Sequence, residues 1–432
     1  MSARTLLRGG RLLCPATNLD TSGTLLLEDG HILAVTTESV EPAPGDLVLD
    51  AAGCVVTPGF VDLHAHFCDP GEEHKEDLAS GGHAAVSSGF TTVLLGSQTT
   101  PANDTRAVTE MIVRRAASLS GCRALPMGAL TQGRAGRRLT EMFDLRDAGA
   151  AALGEGDACV ADAGLLRRAM EYARAVGLPV FEQPEDASLA GHGVMHEGPI
   201  STRLGLNGVP SVAEEAIVLR DLALCAATGA RLHLGPLSAA GSVDAVRRAK
   251  ADGLPVTCAV TAAHLRLTDE TVAAAYSPNL RSRPPFRGAL DRDALRAGVA
   301  DGTIDAIASG HRPQSPVEKD LEFDLAEPGL VGLSTALGLV LALVEEGALP
   351  LTRALFALNA GPASVLGRTA ALKGGAPADV VVFDPSRRTR VAAVADSSRG
   401  RNTPFLGQAL PGLVRYTLVA GALRHTAVEE PE

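Results

Sequence analysis

Eight short apolar runs, separated by segments with apolar residues at three- and four-residue spacing, dominate the middle of this chain. The runs fall at 54–60, 91–96, 124–129, 150–153, 179–181, 231–235, 256–260 and 305–309, and the helix-like segments between them include 162–176, 211–227 and 241–252. A brief continuous apolar run reads as a strand buried on both faces, and the wider spacing as a helix with one buried stripe. Eight such alternations predict a (β/α)8 barrel, an α/β fold of the TIM type. The two chain ends have a different character. Near the start, Asp29-Gly30 stands between two apolar runs, which is a hairpin signal. The stretches 378–383 and 414–421 also read as strands. Both ends together predict a small β-sandwich from residues 1–55 plus 366–425, with the barrel over 56–365. In a barrel of this kind, chemistry sits at the C-terminal ends of the strands.

Charge and composition remove several function classes. The 432 residues carry a formal net charge of −11, which opposes binding to nucleic acid or to an anionic membrane. Aromatic residues are 3% and Trp is absent, so a platform for stacking bases is not expected. The seven cysteines are scattered and form no Cys-x-x-Cys pair, which argues against a disulfide framework or a thiolate zinc cage. No apolar run reaches the ~18 residues that span a bilayer. Residues 1–13 carry arginines but no unbroken apolar core, so a cytoplasmic location is expected.

The first run leads into Pro58-Gly-Phe-Val-Asp-Leu-His64-Ala-His66. Side chains two apart on a strand share a face, so two imidazoles here make a candidate metal chelate. The phrases 58–66, 89–93, 128–133, 205–210, 283–287, 301–309, 323–337 and 375–385 together resemble the dihydroorotase family of the amidohydrolase superfamily, over nearly the whole chain. Active members of that family bind zinc and interconvert N-carbamoyl-aspartate and dihydroorotate.

What the resemblance implies position by position is one-sided. His64 and His66 match the family's metal pair, and Glu155 is a candidate third donor at the fourth strand. Other ligand positions are changed: Gln183 stands for a histidine at strand five, Pro236 for a histidine at strand six, and Gly310 for the aspartate that is both ligand and base at strand eight. Substrate positions are changed too. Cys68 replaces an arginine that grips the substrate carboxylate, and Gln98, Ala263, Arg283 and Gln314 replace an asparagine, a histidine, an asparagine and a histidine. A neutral amide is a poor zinc ligand, and proline and glycine offer none. With Gly310 at the base position, no catalytic residue is expected.

These losses lead to the expectation of no cofactor, or at most one zinc at His64 and His66. They also lead to the expectation of a non-catalytic pseudo-dihydroorotase. The segment 407–419 resembles inactive dihydroorotase-like subunits that assemble with aspartate carbamoyltransferase, so the expected partner is that transferase's catalytic chain, with the protein itself a homodimer inside a larger complex. The alternative is an active or weakly active zinc-dependent dihydroorotase with a reduced metal centre. Among single residues, Cys68 reads as a space-filling thiol and His264 and His311 as structural. Arg283 reads as a solvated arginine or a partner for Glu155, the acidic stretch 69–77 as a solvated loop, and 425–432 as a frayed terminus.

Overall fold

A computed structural model describes residues 4–391 and 398–427. Its centre is a parallel eight-stranded sheet whose strands follow one another in chain order: Phe60–Ala65, Phe90–Leu95, Arg123–Gly128, Ala152–Gly154, Val180–Glu182, Leu232–Leu234, Val256–Thr261 and Ala306–Ala308. The sheet is almost closed, because Ala65 at the end of the first strand bridges His311 just past the eighth. Buried Asp62 fastens the same seam, accepting hydrogen bonds from the Ser309 amide at 3.1 Å, the Ser309 hydroxyl, and the His64 amide at 3.1 Å. This is the TIM-type barrel that the eight alternations predict.

Helices pack around the strands for the reason the spacing gives. Ala163–Val176 buries Leu165, Leu166, Ala169, Met170, Ala173 and Val176, a stripe at three- and four-residue intervals. Its start is capped by Asp162, whose carboxylate accepts from the Leu165 amide, and its end by Gly177 in the left-handed region. Val212–Thr228 and Ala240–Ala251 form the other two expected helices.

The chain ends make a separate sheet of eight strands. Asp29 and Gly30, at φ 48° and 78°, join Leu19–Glu28 to His31–Thr36 in an antiparallel hairpin. Val55–Pro58 runs parallel to Thr5–Cys14 and antiparallel to Val380–Arg390, so the N- and C-terminal parts meet at the middle of this sheet. The first apolar run therefore divides: Val55–Pro58 belongs to the end sheet, and the first barrel strand starts at Phe60. Gly59 sits at the junction, where a Cβ would lie 2.2 Å from Thr91. At the C-terminus, Ala422–Thr426 is a paired strand and not a frayed end, while residues from 428 on lie outside the described residues.

Candidate active site and metal donors at the barrel mouth

The C-terminal ends of the barrel strands surround a pocket of about 80 Å³. His64, His66, Gln98 and Arg283 line it, and so do Gln183, Pro236, Ala263 and Gly310. His264, His311 and Arg312 add three further polar groups. Cys68, Glu155 and Gln314 do not line it; the Gln314 amide donates to the Pro328 carbonyl at 3.0 Å.

The imidazoles have divergent environments. The His64 ring lies 6.2 Å from Phe181 and 5.7 Å from His233, and its Nε2 is buried with no hydrogen-bond partner. Burial pushes its pKa down to about 4, so it is neutral at pH 7. His233 lies inside the barrel against His64 and Phe181, with Nδ1 at 2.8 Å from the Thr257 hydroxyl. His264 uses both nitrogens, with Thr261 Oγ1 at 2.7 Å and the Pro284 carbonyl at 3.1 Å. His66 turns the other way: its Nε2 is 3.9 Å from Glu72 Oε2, and its amide donates to the His311 carbonyl at 2.8 Å. The two histidines of the His-x-His pair thus share the pocket but face different groups, because the strand ends at Ala65 and its alternation no longer governs His66.

The acidic stretch after this pair is not a solvated loop. Glu76 is fully buried, with His311 Nε2 at 3.5 Å from its Oε2 and with the Ser80 and Ser398 hydroxyls donating to it. Burial alone would raise the Glu76 carboxyl; the His311 imidazole and the two hydroxyls hold it below the usual range. Asp69 is buried and accepts from Arg115 at 2.6 Å and from the Leu78 amide at 3.3 Å. Glu72 is held by Lys75 at 2.7 Å, and His66 with Lys75 depresses its carboxyl to about 2.

Only one group of three metal-ligating side chains forms among the described residues, and it is His66, Cys68 and Glu72, whose ligand atoms lie within 4.8 Å of one another. Glu155 is not in it: its Oε1 accepts from the Thr131 amide and hydroxyl, each at 2.8 Å. Arg283 pairs with Glu185 and not with Glu155. The zinc centre that the resemblance implies, with ligands from strands one, five, six and eight, does not fit the residues present. Gln183, Pro236 and Gly310 occupy the mouth and supply no imidazole nitrogen or carboxylate oxygen. Gly310 is also in the left-handed region at φ 64°, where a Cβ would lie 2.8 Å from Thr261 Cγ2.

A family model described as dihydro-orotase-like matches residues 53–242. A dihydroorotase of Anaeromyxobacter dehalogenans strain 2CP-C is 48% identical over 427 residues, covering 98% of each chain. One of Citrifermentans bemidjiense is 41% identical over 423 residues, covering 98% of this chain and 99% of its own. The chain belongs to the dihydroorotase family. Among solved structures, an L-hydantoinase of Arthrobacter aurescens superposes with a TM-score of 0.86 at 23% identity, covering 99% of this chain and 98% of its own, which shows the shared fold.

The family match corrects the expectation of a non-catalytic assembly subunit. The relatives that match this chain from end to end carry the name dihydroorotase, and none of these findings points to an inert scaffold or to a transferase partner. The physical reason is that counting lost letters assumes donors can come only from the family's positions. Cys68 reads as a lost arginine in sequence, yet in the fold its sulfur lies beside His66 and Glu72. The acidic stretch directly after His66 was the available signal for Glu72 and Glu76. No helix among the described residues is long and apolar enough to cross a membrane.

Proposed function

We propose that this dihydroorotase-family chain interconverts N-carbamoyl-L-aspartate and dihydroorotate at the barrel mouth, with a donor set reduced from that of the family. The observation that carries the reading is the end-to-end match, at 41% to 48% identity, to relatives named dihydroorotase. Ring closure joins the terminal carbamoyl nitrogen to the side-chain carboxyl carbon and releases one water; ring opening adds that water back.

Three groups in the pocket meet the needs of this reaction. The substrate keeps a carboxylate throughout, and Arg312 offers a guanidinium on the pocket wall, held by Asp157 at 3.0 Å. His64 is neutral with a free Nε2, so it can accept a hydrogen bond or a proton. His311, one position past Gly310 and paired with buried Glu76, is the group best placed to exchange a proton where the family aspartate is missing.

The test is turnover from both compounds by the purified chain, with and without added zinc. The expected result is interconversion in both directions, lowered about 10²-fold or more in His311→Gln, with the fold confirmed by circular dichroism. No interconversion above the uncatalysed rate in either direction, with or without zinc, overturns the reading.

A further inference from the structure

We propose that His66, Cys68 and Glu72 form a mononuclear site for a thiophilic divalent cation, zinc foremost, on the loop that follows the first barrel strand. The site goes beyond the reaction assigned above and is independent of it. It also differs from the family's His-x-His chelate, since it uses one of those histidines and leaves the other to the barrel interior.

Three observations carry it. The donor atoms already converge: imidazole nitrogen, thiol sulfur and carboxylate oxygen lie within 4.8 Å of one another. In tetrahedral zinc, with bonds of about 2.0–2.3 Å, neighbouring donors are roughly 3.4–3.8 Å apart, so a shift of about 1 Å closes the set. Each donor is held by the loop. The His66 amide is fixed to the His311 carbonyl, and the Glu72 amide donates to the Cys68 carbonyl at 2.8 Å. Lys75 takes Glu72 Oε1 at 2.7 Å and leaves Oε2 toward His66. Finally, Cys68 is buried and forms no disulfide among the described residues.

The donor types select the ion. One nitrogen, one sulfur and one oxygen suit zinc, while the sulfur disfavours calcium and magnesium. Three protein donors leave the fourth position to water, and His66 places the site beside the pocket. Two imidazoles at His64 and His66 alone would bind more weakly and without sulfur.

The experiment is a Co2+ titration of the full chain after chelator treatment, read by absorption. The expected result is one Co2+ per chain with a sulfur-to-cobalt charge-transfer band in the near ultraviolet. Cys68→Ser abolishes that band, Glu72→Gln weakens binding about 10- to 100-fold, and His64→Gln leaves the band in place, each variant first checked for an unchanged melting temperature. A wild-type chain without the band, a band that survives Cys68→Ser, or a band lost in His64→Gln overturns the site. Turnover measured on the same samples separates the two proposals: turnover without the band removes the metal site alone, and the band without turnover removes the reaction alone.

Discussion

The two sides of the barrel mouth are built on opposite terms. Along the first strand, its loop and the seam with the eighth, buried His66, Cys68, Glu76 and His311 crowd together with half-buried Glu72, His66 facing Glu72 and His311 facing Glu76. Across strands five to eight, the corresponding places hold Gln183, Pro236, Ala263 and Gly310; His264 has both nitrogens occupied, and His233 lies inside the barrel with Nδ1 on the Thr257 hydroxyl. The contrast teaches that donors can be lost at strand ends and gained on one long loop, because a loop is free to carry side chains that a strand's alternation forbids.

The largest test of this contrast is on stability. Glu76→Ala removes the partner of buried His311 and of two hydroxyls, and is expected to cost about 3–5 kcal/mol in denaturant unfolding. Ala263→Ser, on the other side, should cost less than about 1 kcal/mol. Equal losses would erase the distinction.

A second test uses pH. Burial pushes His264 down to about 4 from a usual 6.5, so between those values the unfolded chain takes up a proton that the folded chain refuses. Stability from this group is complete above about pH 6.5 and is lost as pH falls toward 4, by about 3 kcal/mol in all. His264→Gln should flatten the pH dependence of unfolding over that window. An unchanged slope would mean that the ring is protonated in the fold and that this side is less inert than described.

Restoring an acid to the bare side is the third. Gly310→Asp must place a Cβ against Thr261 from a left-handed backbone, and is expected to cost about 1–2 kcal/mol without raising turnover. A stable, faster variant would show that the glycine is not committed to its present geometry. The smallest effect is expected from Arg312→Met, which should raise KM for N-carbamoyl-L-aspartate about tenfold with kcat little changed, equal to ~1.4 kcal/mol of binding. A fall in kcat at constant KM would move Arg312 from binding to the chemical step.

Much of the fold was legible because it depends on local pattern. The Asp29-Gly30 turn, the capped stripe of Ala163–Val176 and the eight apolar runs each name their own element. The division of the first run at Gly59 was not legible, since Val55–Pro58 is assigned by partners from the far end of the chain. At the site, positions 64 and 66 announce themselves by spacing, while the vacancies at 236 and 310 show only against the family resemblance. Cys68 does not announce itself, and the acidic stretch marks Glu72 only as one carboxylate among several, because nothing in a loop's sequence says which side chains turn back toward the strand. Glu76 was hidden for the opposite reason: a run of charges reads as wet until a buried His311 is found facing it.

The pairing of Val55–Pro58 with Val380–Phe383 also dictates an order of events during synthesis. The early strands leave the ribosome with one face of apolar Leu12, Leu25 and Val56 awaiting cover, and the whole barrel is translated before their neighbours arrive. A nascent chain that stalls late therefore carries an open, sticky edge, and chaperone capture should concentrate there.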